Sequence, residues 1–132
     1  MYRIEKTHFG VQLTFGGYLK KEELETWKSE SAAQLVMIPS PFGVLIDMRE
    51  LKPLTADAQE VMVSGQMLYK EAGMQRSAVI LNSATLTMQF VRLAKTSGIY
   101  AWERYFDASS DPSWEDKAIN WLKNGVDASV AA

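Results

Sequence analysis

Gly43-Val44-Leu45-Ile46-Asp47-Met48 is the stretch on which the fold turns. Its apolar residues run on without the alternation of a half-exposed strand. The segment therefore reads as a short strand buried on both faces, the pattern of a central parallel strand. Ser77 to Asn82, built on Ala78-Val79-Ile80-Leu81, reads the same way. Ahead of them, Tyr2 and Ile4 alternate with Arg3 and Glu5, and Val11, Leu13 and Phe15 with Gln12 and Thr14. Those segments predict two antiparallel strands turning near Thr7-His8, the second ended by Gly16-Gly17.

Helical spacing fills the intervals. A first helix is predicted from about Lys21 to Val36, with Leu24, Trp27, Ser31 and Leu35 on its inner face and Pro39 and Pro41 beyond its end. Thr55 has the side chain for an N-cap and Asp57 suits a first turn, so a second helix is predicted to Ala72, closed by Gly73. Ser83 caps a third through Thr96, closed by Gly98. An edge strand follows over Trp102 to Phe106. The last helix is expected to start at Asp111-Pro112, with Pro112 in the first helical position. Its stripe is Trp114, Ala118 and Trp121 up to Leu122, with Gly125 closing it if it extends to Asn124. The result is an α/β domain: a mostly parallel sheet of about five strands, an antiparallel N-terminal edge strand and four helices. Residues 1–126 form one domain, and 127–132 are expected to fray.

Composition removes whole classes of chemistry. The chain has 132 residues, no cysteine and a single histidine, His8, so disulfides, thiolate metal sites, cysteine nucleophiles and histidine metal clusters are absent. A net charge of -2 and a pI near 5.4 argue against nucleic-acid binding through global positive charge. Arg3, Glu5 and Lys6 follow Met1 without an apolar run, which argues against a secretory signal. The longest strictly apolar runs, such as Leu35 to Ile38, fall far short of the roughly 20 residues of a membrane span. The expected location is cytoplasmic, with peripheral membrane contact as an option. No phosphate-cradling glycine motif and no G-x-S-x-G motif is present.

Three groups of residues resemble one family. Phe15-Gly16-Gly17-Tyr18-Leu19 with Glu22-Glu23 and Trp27, Gly43 to Leu51, and Arg104-Tyr105-Phe106 with Ala118 and Trp121-Leu122 are together similar to SpoIIAA-like proteins. The resemblance implies the fold of STAS domains, the anti-sigma-factor antagonists, and more distantly that of lipid-binding Sec14/CRAL-TRIO domains. The sequence departs from that family at the start of the second helix. Phosphorylatable antagonists carry an Asp-Ser-Ser-Gly type motif there, and this chain reads Leu54-Thr55-Ala56-Asp57-Ala58. Only Thr55 in that run has a hydroxyl that a phosphate could join, and an N-cap role is the favoured account of it.

Candidate sites follow. Asp47, at the end of the central strand, is the best single acid, either bonded to loop amides or paired with Arg49 or Arg76. No nucleophile accompanies it, His8 reads as an exposed turn residue, and the chain is expected not to be an enzyme. Helical projection places Val61, Gly65, Leu68 and Ala72 on the core side of the second helix, with Gly65 admitting close approach to the sheet. Val63 and Met67 then project outward. On the third helix Leu86, Phe90, Leu93 and Ala94 face the core, while Met88 and Val91 point away beside Arg92 and Lys95. All methionines but the first lie between Met37 and Met88, and Gly73 to Phe106 holds Arg76, Arg92, Lys95 and Arg104 against Glu103 alone. Adaptable apolar side chains bordered by cations suit an apolar ligand or an anionic lipid surface. The first expectation is thus a non-enzymatic module binding an apolar small molecule or lipid through Val63, Met67, Met88, Val91, Arg92 and Lys95, without cofactor or metal. The alternative is a regulatory protein-interaction module contacting its partner through Thr55, Asp57 and Gln59 together with Val63 and Met67. Packing of the outward residues against each other or in a homodimer is the plainer explanation.

Overall fold

The computed structural model describes residues 1–128. Its elements run β1 (Tyr2–Lys6), β2 (Gly10–Gly17), α1 (Lys21–Leu35), β3 (Phe42–Leu51), α2 (Ala56–Ala72), β4 (Met74–Leu81), α3 (Ala84–Ser97), a 3-10 turn (Tyr100–Trp102), β5 (Glu103–Asp107) and α4 (Trp114–Asn124). The five strands lie side by side in chain order. β1 pairs antiparallel with β2, and every later pairing is parallel. The sequence expectation of an antiparallel N-terminal edge on a parallel sheet, with four helices, is what the structure has.

Chain order decides the layers. Successive right-handed crossovers that always step in one direction put α1, α2 and α3 on the same face. That face carries the larger core, in which Val11, Leu13, Phe15, Val44, Ile46, Met48, Val79 and Leu81 meet Trp27, Met62, Tyr69 and Phe90. The opposite face carries α4, where Leu45, Ala78 and Ile80 pack on Ala118, Trp121 and Leu122. β3 and β4 are covered on both sides and so read as unbroken apolar runs. On β2 the side chains of Val11, Leu13 and Phe15 are buried while Gln12 and Thr14 between them are half-buried, and its pattern stays alternate.

Helix ends agree with the capping signals in four places. Ser83 accepts the Leu86 amide at 3.2 Å, and Gly73, Gly98 and Gly125 close α2, α3 and α4 in the left-handed conformation that glycine adopts without strain. Two details differ. α4 starts at Trp114 rather than at Pro112, because Asp111 Oδ1 accepts the Ser113 amide at 2.9 Å and spends those residues in a turn. Asp127 is not frayed: its carboxylate pairs with Arg104 at 2.7 Å. Residues 129–132 of the expected tail lie outside the described residues.

The buried face of α2 also differs. Ala58, Met62, Gly65, Gln66 and Tyr69 are buried, whereas Val61, Leu68 and Ala72 are only partly so. The helix is flanked by α1 and α3 as well as by the sheet, so it has three contact sides. The close approach at Gly65 is to α1: a Cβ there would overlap the Trp27 indole. Trp27 itself stacks on Tyr69 at 5.7 Å and meets Phe15 edge-on at 5.3 Å. A glycine in mid-helix costs about 1 kcal/mol against alanine, and here it makes room for the largest side chain of the core.

Candidate functional site

The loop between β3 and α2 is sewn to α3. The Gln89 side chain on α3 accepts the Leu54 amide at 2.8 Å and donates to the Leu54 carbonyl at 3.1 Å. Gln59, one turn into α2, donates to the same carbonyl at 2.9 Å. Its own side-chain oxygen accepts from Arg92 at 2.7 Å. Deeper between the helices, Ser97 donates to Gln66 at 2.7 Å. Two of the expected surfaces, Gln59 of α2 and Arg92 of α3, are thereby one platform. Gln89 was invisible in the sequence, since a single glutamine on an amphipathic helix gives no sign that it binds the backbone of a distant loop.

At the edge of this platform Thr55 occupies the N-cap position of α2 without capping it. Its hydroxyl donates to Asp57 Oδ1 at 2.6 Å, and the same oxygen accepts the Ala58 amide at 2.8 Å. The Thr55 hydroxyl and then the Ala58 amide hold the Asp57 carboxyl below the usual range. The exposed start of α2 thus presents a fixed carboxylate.

The outward apolar residues fall in different places. Met67 is 46 % exposed and Met88 74 % exposed. Val63 and Val91 are half-buried, with Val63 packed against the main core. Arg92 is held by Gln59, and Lys95 Nζ lies 4.9 Å from the centre of the Tyr100 ring. The hydrogen bonds across the α2–α3 seam close it, and a ligand between those helices would have to break them.

Asp47 pairs with Arg49, not Arg76, through bonds of 3.0 and 2.9 Å, and it also accepts the Arg49 amide at 3.1 Å. Burial opposes its charge, but the Arg49 contacts win and hold the carboxyl low. Arg49 in turn lies 4.8 Å from the centre of the Trp114 ring. His8, Phe9, Gln12, Trp114 and Glu115 complete an open groove beside that pair on the α4 face. Strand order runs without reversal, so the sheet has no switch point of the kind that creates ligand crevices in doubly wound folds. Among the described residues no three acidic or histidine side chains are grouped as metal ligands would be.

No family model matches the sequence, and no curated protein matches it. One solved structure does match in three dimensions: the anti-sigma factor antagonist SpoIIAA in its unphosphorylated form, at a TM-score of 0.64 over 96 % of this chain and 98 % of that one. The chain has the SpoIIAA fold. Sequence identity is 12 %, so the likeness to SpoIIAA is one of architecture. It bears out the fold that the sequence resemblance implied. Among the described residues no helix is long and apolar enough to cross a membrane.

Proposed function

We propose that this chain is a non-enzymatic regulatory module that docks a protein partner on the β3–α2 loop, the first turns of α2 and the neighbouring side of α3, without a phosphoserine switch. The observation that carries the reading is the Gln89–Leu54–Gln59–Arg92 network, which pre-organises Thr55, Asp57, Gln59 and Arg92 on a scaffold with the SpoIIAA architecture. Pre-organisation lowers the entropy lost on binding. Further along α2, Met67 exposes an apolar side chain. Ala56 offers no hydroxyl for a phosphate, and a phosphate on Thr55 would meet the Asp57 carboxylate that already holds its hydroxyl.

A second reading rests on Met88. Its exposure beside Arg92 and Lys95 suits an apolar ligand or an anionic lipid surface. One pair of assays separates the two. The wild-type chain is expected to recover one dominant protein from its source cell, and Met67→Glu to lose it with an unchanged far-UV spectrum. Binding to anionic vesicles is expected to be absent. Salt-sensitive vesicle binding that Met88→Asp and Arg92→Glu abolish, with no protein recovered, would replace the first reading by the second.

A further inference from the structure

Glu103 opens β5 at the edge of the sheet, yet it is 3 % exposed. Its carboxyl has two partners, both hydroxyls: Ser77 donates to Oε1 at 2.9 Å and Tyr105 to Oε2 at 2.6 Å. No cation reaches it among the described residues. On β4, Arg76 turns to the far face, where it lies 5.7 Å from the Trp121 ring. On α2, Gln66 is bonded to Ser97, Tyr69 to Ser31, and Lys70 Nζ sits 5.9 Å from the Trp102 ring. On α3, Arg92 is held by Gln59 and Lys95 lies over Tyr100. The 3-10 turn brings Tyr100 and Trp102, and on β5 itself Arg104 points to Asp127. A buried carboxyl without a counter-charge is the costliest kind of core residue when ionised.

The hydroxyl of Tyr105 also lies 3.5 Å from the main-chain carbonyl of Phe90, in the middle of α3. A phenol has one proton to donate. When Glu103 is ionised, that proton goes to the carboxylate and none of it is left for the Phe90 carbonyl. When Glu103 is protonated, its own O–H donates to the Tyr105 oxygen, and the phenolic proton is released to Phe90. The long contact then becomes a hydrogen bond between β5 and α3. Beside the carboxyl is a cavity of about 30 Å³, walled by Met48, Met62, Met74, Phe90 and Gln66. That is room enough for water.

We propose that Glu103 and Tyr105 form a proton-operated latch that fastens α3 to the edge strand when the carboxyl is protonated and loosens it when the carboxyl ionises. Burial pushes the Glu103 carboxyl up to about 7, against the hydrogen bonds from Tyr105 and Ser77. The latch therefore works across neutral pH, whatever the platform of α2 and α3 binds.

Carbon-13 shifts of the Glu103 carboxyl and the Phe90 carbonyl, followed from pH 5 to 9, test it. Both are expected to titrate with one midpoint near 7. In Tyr105→Phe the Phe90 carbonyl is expected to stay flat while Glu103 still titrates. Opening of the α3 amides, corrected for intrinsic exchange, is expected to rise about twentyfold from pH 5.5 to 8 in the wild type and not at all in Glu103→Gln. A Phe90 shift that does not move in the wild type, or a Glu103 midpoint in the ordinary carboxylate range, overturns the proposal. The wild-type and Tyr105→Phe measurements decide the matter even if Glu103→Gln fails to fold.

Discussion

Replacing Trp121 with alanine is expected to destabilise the chain by about 3–5 kcal/mol, the usual cost of emptying a large aromatic site in a core. Among the described residues α4 is the only helix on its face of the sheet, and Trp121 is its largest buried side chain. Its indole N–H donates to the Ser77 carbonyl at 3.0 Å. Arg104 and Arg76 lie 4.3 and 5.7 Å from its ring. Truncation removes the packing, the hydrogen bond and both cation–ring contacts together. Because Trp121 holds three groups from two strands, the neighbours have little freedom to collapse into the space. The midpoint of thermal unfolding should fall by roughly 10–20 °C. Trp114→Ala on the same helix, half-exposed beside Arg49, should cost about 1 kcal/mol or less. Equal losses at the two positions would mean that α4 is not anchored as described.

The second large effect depends on pH. In the folded chain the Glu103 carboxyl is raised from its ordinary 4.5 to about 7. A group raised in this way stabilises the fold fully below its unfolded value, and that contribution disappears as pH climbs through the folded one. Wild-type stability should therefore fall by about 3 kcal/mol between pH 4.5 and pH 8. Glu103→Gln keeps an acceptor for Ser77 and supplies a donor for Tyr105, but it cannot ionise. Its stability should be flat over the same interval and exceed that of the wild type at pH 8 by about 1–3 kcal/mol. The carboxyls held low at Asp47, Asp57, Asp107 and Asp111 act in the opposite sense, below their ordinary 3.8, and leave this window clear. Urea titrations of both proteins at pH 5 and pH 8 measure the difference. A Gln variant less stable than the wild type at pH 8 contradicts the uncompensated charge.

The architecture was legible because its signals are local. Unbroken apolar runs at Val44–Ile46 and Ala78–Leu81 marked strands covered on both faces, and Gly73, Gly98 and Gly125 marked helix ends. The inner face of α2 was not legible from periodicity, because that helix touches three neighbours. Val61, Gly65, Leu68 and Ala72 look like a core stripe, yet Gly65 alone of them is fully buried, against Trp27 of α1, while Gln66 and Tyr69 look amphipathic and are buried. Their polar ends are satisfied by Ser97 and Ser31, both distant in sequence. Glu103 escaped notice for the same reason. A glutamate before Arg104-Tyr105-Phe106 reads as the solvated start of an edge strand until Ser77 and Tyr105 are seen to enclose it. The site residues Gln59 and Arg92 each stood out separately, but the bond that unites them depends on how α2 and α3 pack.

The most direct test of the platform is a photo-reactive benzophenone amino acid placed at Met67 and, as a control on the opposite face, at Lys117, with irradiation in the source cell. A benzophenone captures C–H bonds of protein and lipid alike, so it does not prejudge the partner. The platform reading predicts one protein-sized adduct at position 67, lost when Asp57→Arg is added, and none at position 117. A lipid-sized adduct at position 67, or protein capture only at position 117, would contradict it.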